Sequence, residues 1–185
     1  MRIISGKYKG KKIFHPLDNF TRPLKDITKE SIFNIIEHSN ILNLDINSSH
    51  VLDLFSGVGS FGVECLSRGA LSTTFFENYS KVLPILKKNI SLLNFEKRIN
   101  ILEKDIFEPN SLSNLNKKFE IIFLDPPYKE KRLIQLLDTI INLNLLNENG
   151  VFIIHRHKKE IDNFPKKFKI LKEKTHGISR IIFGR

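Results

Sequence analysis

From His50 onward the chain settles into a rhythm of short apolar runs separated by longer amphipathic stretches. The runs are "VLDLF" (51–55), "TTFFE" (73–77), "INILEK" (99–104), "FEIIFLD" (119–125) and "GVFIIHRH" (150–157). Each is too short for a buried helix and rich in β-branched and aromatic residues, so each predicts a buried strand. Stretches near 60–68, 79–94 and 130–146 have helical spacing and supply crossovers. Strands joined by helices predict a parallel sheet covered on both faces, because a parallel pair cannot be closed by a tight turn. The end of the chain departs from this rhythm. "FKILKEKT" and "SRIIFGR" are separated only by His176-Gly177-Ile178, which predicts an antiparallel hairpin at the sheet edge.

The first forty residues read differently. "MRIISGKYKGKKIFHP" alternates β-prone pieces with Gly6 and Gly10 and predicts a small basic hairpin. After Pro23, "LKDITKESIFNIIEH" places Ile27, Ile32, Phe33, Ile35 and Ile36 along an amphipathic helix. The expected organisation is a basic hairpin-and-helix extension over 1–40 and an α/β domain over 41–185.

Composition excludes more than it assigns. With 41% hydrophobic and 27% charged residues in 185, the chain has the material for an ordinary core. A chain of this size buries roughly 70% of its unfolded surface. No apolar run approaches the ~20 residues of a membrane-spanning helix. The single Cys65 excludes a disulfide framework and a Cys-based zinc site; it reads as a core residue, and the expected address is the cytoplasm.

Charge changes the picture once it is divided. Residues 1–30 hold eight Lys/Arg against three Asp/Glu, and residues 155–185 hold ten against three, whereas 31–154 hold twelve against fourteen. A near-neutral centre between two basic ends points to a polyanion, nucleic acid above all.

The chemistry gathers where the predicted strands end. "VLDLFSGVGSFG" sets Gly57, Gly59 and Gly62 in G-x-G-x-x-G spacing directly after the first α/β strand, a pattern that serves dinucleotides and other adenosine cofactors alike. Asp53, four residues before Gly57, tilts the choice. A pyrophosphate would be repelled by that acid, whereas the ammonium and sulfonium of S-adenosylmethionine (SAM) would be attracted. Glu77 ends the second strand, placed for two ribose hydroxyls, and Asp105 follows the third, placed for an adenine amino group. Phe55, Asn78 and Ile106 flank these acids and belong to the same expected cofactor site, although packing is the simpler role for Phe55 and Phe107.

The fourth strand ends in Asp125-Pro126-Pro127-Tyr128. An exocyclic amine on a nucleobase is a poor nucleophile because its lone pair is delocalised into the ring. Two acceptors aimed at its two N–H bonds favour the pyramidal geometry that localises the pair. An Asp125 oxygen and the Pro126 carbonyl are suited to this, with the prolines fixing the backbone in advance. Tyr128 offers a face for the base, a stack worth about 1–3 kcal/mol. In-line attack then needs alignment but no metal and no covalent intermediate. His155 and His157 lack a third metal ligand and read as a basic, RNA-facing rim.

Taken together, these motifs resemble a Rossmann-like SAM-dependent methyltransferase and, more narrowly, the RsmD family of bacterial 16S ribosomal RNA guanine-N2 methyltransferases. The likeness runs through "MRIISGKYKGKKI", "TRPLKDITKESIFNII", "VLDLFSGVGSFGVECLSRGA" and "FLDPPY", with Leu24 standing where the family usually has Thr. It implies that Asp53, Gly57, Gly59, Glu77 and Asp105 contact SAM and that Asp125 to Tyr128 hold the target guanine. The implied partner is 16S rRNA, within the small ribosomal subunit, bound by a monomer. Lys7, Lys9, Lys11, Lys12 and Arg22 would meet its phosphates. DNA adenine-N6 methylation and a non-catalytic RNA-binding module are the competing readings.

Overall fold

The structure, a computed structural model, describes residues 1–15, 24–94 and 98–185. Seven strands form one sheet: β1 (His50–Leu54), β2 (Ser72–Phe76), β3 (Ile99–Leu102), β4 (Phe119–Leu124), β5 (Leu146–His157), β6 (Ile170–His176) and β7 (Ser179–Gly184). Their order across the sheet is β3-β2-β1-β4-β5-β7-β6. The first five are mutually parallel, and β7 runs antiparallel between β5 and β6. The mostly parallel sheet with its terminal antiparallel hairpin is therefore present as expected.

Helices α1 (Asp26–His38), α2 (Ser60–Ser67), α3 (Leu83–Ser91) and α4 (Leu133–Asn142) complete the layers. Side-chain alternation along the strands sorts the core into two faces. Val51 of β1, Phe123 of β4 and Ile153 of β5 pack with Ile32, Phe33 and Ile36 of α1 and with Phe61 and Cys65 of α2. Leu52, Ile122 and Phe152 point the other way, towards Leu133, Leu137 and Ile140 of α4. Nearer β2, α2 and α3 pack with Ile3 and Ile13 of the amino-terminal segment.

Three expectations change in detail. Ile27 lies off the apolar stripe of α1 and is 51% exposed. β5 starts at Leu146, four residues early, because Leu146 pairs with Phe119 before a register irregularity leads into the regular ladder. The amino-terminal hairpin is minimal: a single antiparallel bridge joins Arg2 to Lys12. The β3-to-β4 crossover, 103–118, is built from turns and bends.

The amino-terminal segment is fastened by buried polar groups. Ile4 N–H and Ser5 N–H donate to the two carboxylate oxygens of Glu64 (2.8 and 2.9 Å). Lys29 of α1, fully buried, donates to the carbonyl of Arg2 (2.7 Å) and lies 3.6 Å from the same carboxylate. Burial lowers the Lys29 pKa, while Glu64 acts to raise it. Asn89 of α3 clasps both the N–H and the carbonyl of Phe14, and its amide also donates to the carbonyl of Val58 in the glycine loop.

Candidate active site

The sheet order places β1 and β4 side by side, with crossovers leaving them in opposite directions. Open α/β sheets bind ligands outside the carboxyl ends of the strands at such a point. A cavity of about 890 Å³ lies there, at the large end of the range for small-molecule sites. Asp53, Phe55, Gly57, Glu77, Asn78, Asp105 and Ile106 line one part of it, and Asp125, Pro126, Pro127 and Tyr128 another. Gly59 leads into α2 at the end of the same loop. All the expected cofactor and catalytic positions thus meet around one cavity or its loop.

Each acid is held by the backbone beside it. Gly62 N–H, in the first turn of α2, donates to Asp53 Oδ2 (2.9 Å). This caps an amide that has no partner inside the helix. Gly57 and Tyr79 N–H donate to the two oxygens of Glu77 (2.6 and 2.8 Å), so Glu77 braces the glycine loop. Each oxygen keeps a second lone pair for a ligand. Phe107 N–H donates to Asp105 Oδ1 (2.9 Å), closing an Asx turn. The Phe107 ring lies 6.0 Å from that of Phe55 and carries the Arg132 guanidinium 3.6 Å from its centroid. Phe55 itself adopts φ +59°, strained for an aromatic residue, as the chain turns out of β1.

The carboxylates crowd one another. Burial pushes the Asp53 pKa well above the ordinary range, the Gly62 amide opposes this, and Asp125 and Glu77 push it further up. Beneath Asp125, the ring of Phe123 stacks on Phe61 at 4.0 Å, and Phe61 stacks on Phe33 at 5.3 Å. The ring of Tyr128 meets His157 edge-on at 5.3 Å.

His155 corrects the expectation of a basic rim. It is 7% exposed, lines the cavity, and its Nδ1 lies 2.8 Å from Asp125 Oδ1. The neighbouring Arg156 is buried too, paired with Asp162 at 3.2 Å. The signal that points to this is position: His155 directly continues the apolar run 151–154, which is buried on both faces of the sheet. The exposed cations nearby are Lys158 and Lys159 instead.

Of the residues expected to meet phosphate, Lys7, Lys9, Lys11 and Lys12 are exposed around the amino-terminal turn. Tyr8 lies between Lys7 and Lys11, each ammonium 5.4 Å from its ring. Lys11 Nζ also donates to the carbonyl of Leu92 (2.7 Å). Arg22 lies outside the described residues.

Residues 1–185 match the family described as conserved hypothetical protein 95. The ribosomal RNA small subunit methyltransferase D of Buchnera aphidicola subsp. Baizongia pistaciae is 35% identical, over 94% of this chain and 86% of that protein. The protein of the same name from Haemophilus influenzae is 32% identical, over 96% and 90%. Among solved structures, HI0767 of Haemophilus influenzae, described as a candidate methylase, superposes with a TM-score of 0.74. It is 29% identical and covers 99% of this chain and 96% of its own.

Proposed function

We infer that this chain, which belongs to the RsmD family described as conserved hypothetical protein 95, is a SAM-dependent ribosomal RNA methyltransferase. Within that activity we assign its target as the exocyclic N2 amino group of a guanine in the 16S RNA of the small subunit. The observation that carries the reading is the meeting of Asp125-Pro126-Pro127-Tyr128 with Asp53, Glu77 and Asp105 around one cavity.

The residues present fit the cofactor. Asp53 is forced up in pKa partly by Asp125 and Glu77, so the arrangement holds more negative charge than it can comfortably keep. A ligand bearing an ammonium and a sulfonium offsets that charge, whereas a pyrophosphate adds to it. Asp53 would face the cationic end, Glu77 the ribose hydroxyls and Asp105 the adenine amino group. What the bound cofactor supplies is an electrophilic methyl carbon.

The chain supplies alignment and acceptors. Asp125 and the Pro126 carbonyl would take the two N–H bonds of the guanine amine and favour its pyramidal form. Pro126 and Pro127 keep that backbone in place without reorganisation. Tyr128 and the Phe123–Phe61 pair give the base apolar walls that exclude water. The base must leave its stack to enter, at a cost of a few kcal/mol unless it is already looped out. Lys7, Lys9, Lys12 and their neighbours would hold the RNA by its phosphates, which gives affinity and register but little sequence information.

Labelled SAM incubated with small subunits, naked 16S RNA and duplex DNA tests this, followed by nucleoside digestion. N2-methylguanosine in the small-subunit RNA is the expected product, and label confined to DNA, or to N6-methyladenine, overturns the reading. Asp125→Ala should lower turnover by about 10²–10³-fold while preserving the thermal shift produced by SAM.

A further inference from the structure

We propose that His155 is a positioning residue for Asp125, a buried donor that fixes one carboxylate oxygen and reserves the other for the target amine. The inference rests on the reading of Asp125 as acceptor of that amine.

The sheet itself makes the pair. β4 and β5 are parallel with Phe123 beside Ile153 and Leu124 beside Ile154. Asp125 and His155 each follow the last residue paired between the two strands, and alternation turns both side chains to the α2 face, as it does Phe123 and Ile153. Their contact is short, 2.8 Å between Nδ1 and Oδ1, and nearly removed from water: His155 is 7% exposed and the Asp125 side chain 20%.

The other ring nitrogen decides the direction of the bond. His155 Nε2 is buried and has no hydrogen-bond partner among the described residues. If the proton were on Nε2, a buried N–H would be orphaned and Nδ1 would face a carboxylate lone pair to lone pair. With the proton on Nδ1, the ring donates to Asp125 and leaves a bare acceptor, the better tolerated of the two deficits. Leaving a buried polar atom unpaired carries a cost, against which the Nδ1 contact with Asp125 is set.

The electrostatic need is visible next to it. Asp125 is near enough to Asp53 to hinder the ionisation of that acid, and Glu77 adds to the crowding. A donor on Asp125 disperses the charge that an acceptor of N–H bonds must carry. It also stops the carboxylate from rotating, so that the second oxygen stays directed at the substrate. The same strand face then offers His157 to the ring of Tyr128, so β5 braces both ends of the Asp125–Tyr128 turn.

His155→Phe keeps the aromatic volume and removes the donor, and His155→Asn restores an N–H close to the Nδ1 position. With SAM and small subunits, the Phe variant should lose about 10–100-fold in kcat with its KM for SAM within about twofold. The Asn variant should recover most of that loss. A merely structural role would instead lower melting temperature and raise KM together, with no rescue by Asn. Nitrogen-15 NMR of the ligand-free wild-type protein gives a readout that needs no turnover and no variant. A His155 ring protonated at Nδ1 supports the pairing, and one protonated only at Nε2 overturns it. An active wild type with an equally active Phe variant sinks this inference alone. A wild type that methylates no RNA sinks the functional reading and the inference together.

Discussion

Asp53 is 1% exposed and accepts a hydrogen bond from the Gly62 amide, so its carboxylate has little to replace lost water. Its pKa is accordingly raised, by burial first and then by Asp125 and Glu77. The sign of the consequence follows from linkage. The folded protein binds this proton more tightly than the unfolded chain, whose carboxyl titrates at about 3.9. Stability is therefore lost as pH rises from that value through the raised folded value, and regained on acidification. Asp53→Asn removes this penalty while keeping an oxygen for the Gly62 amide. At pH 7–8 the variant should be more stable than wild type without ligand, by about 1 kcal/mol, with a melting temperature less dependent on pH. Its affinity for SAM should fall by about 10-fold, because the cationic ligand loses its counter-charge. A ligand-free melting temperature below that of wild type would refute the account. The acid itself was legible in the sequence from its place before a glycine loop. The His155–Asp125 pair was not, because it depends on the register between β4 and β5, and no single segment carries a register.

At the scale of elements, the five parallel strands were legible as short apolar runs, but burial was not uniform: β3, at the sheet edge, has no fully buried residue, against the expectation of a buried strand. The length of β5 was not legible, since Leu146 pairs with Phe119 across a local irregularity and residues 147–149 carry no hydrophobic period. The join between β1 and α2 shows why the glycines are needed even before a ligand is considered. Gly59 opens the helix at φ +80°, a conformation that L side chains rarely adopt. Gly62 has no such backbone demand: a Cβ there would meet the ring of Phe75 at 2.4 Å and the Thr73 methyl at 2.7 Å. It lets α2 lie close on β2, and that closeness brings its own N–H to Asp53. Gly62→Ala should destabilise the protein by about 1–3 kcal/mol through overpacking. Urea denaturation measures this, and an unchanged midpoint would mean that β2 yields without cost. Because the shifted helix also carries the Asp53 contact, SAM affinity should weaken in the same variant.

Across the whole molecule, the cavity lies at the carboxyl edge of the sheet while the basic turn 5–12 is fixed to α2 and α3. The fastening uses backbone groups: Glu64 receives Ile4 and Ser5 N–H, Ser67 accepts Lys7 N–H through its carbonyl and Tyr8 N–H through its hydroxyl, and Asn89 holds Phe14. Lysine side chains of the turn take almost no part, the exception being Lys11 on the Leu92 carbonyl. The sequence displayed the charge of this segment but not its anchorage, which runs through Lys29, Glu64 and Asn89, polar residues whose burial is set by distant partners. Binding and folding should therefore separate cleanly. Replacing Lys7, Lys9 and Lys12 together with Ala leaves the fastening intact, so melting temperature and the SAM-induced shift should match wild type. RNA affinity should fall, and the slope of log affinity against log salt should flatten by about 2–3, since each neutralised phosphate contributes roughly 0.7–0.9 to it. Filter binding to 16S RNA across a salt series measures both. A slope unchanged from wild type would move the phosphate-binding face elsewhere, with the exposed Lys158 and Lys159 just beyond the end of β5 as the next positions to replace.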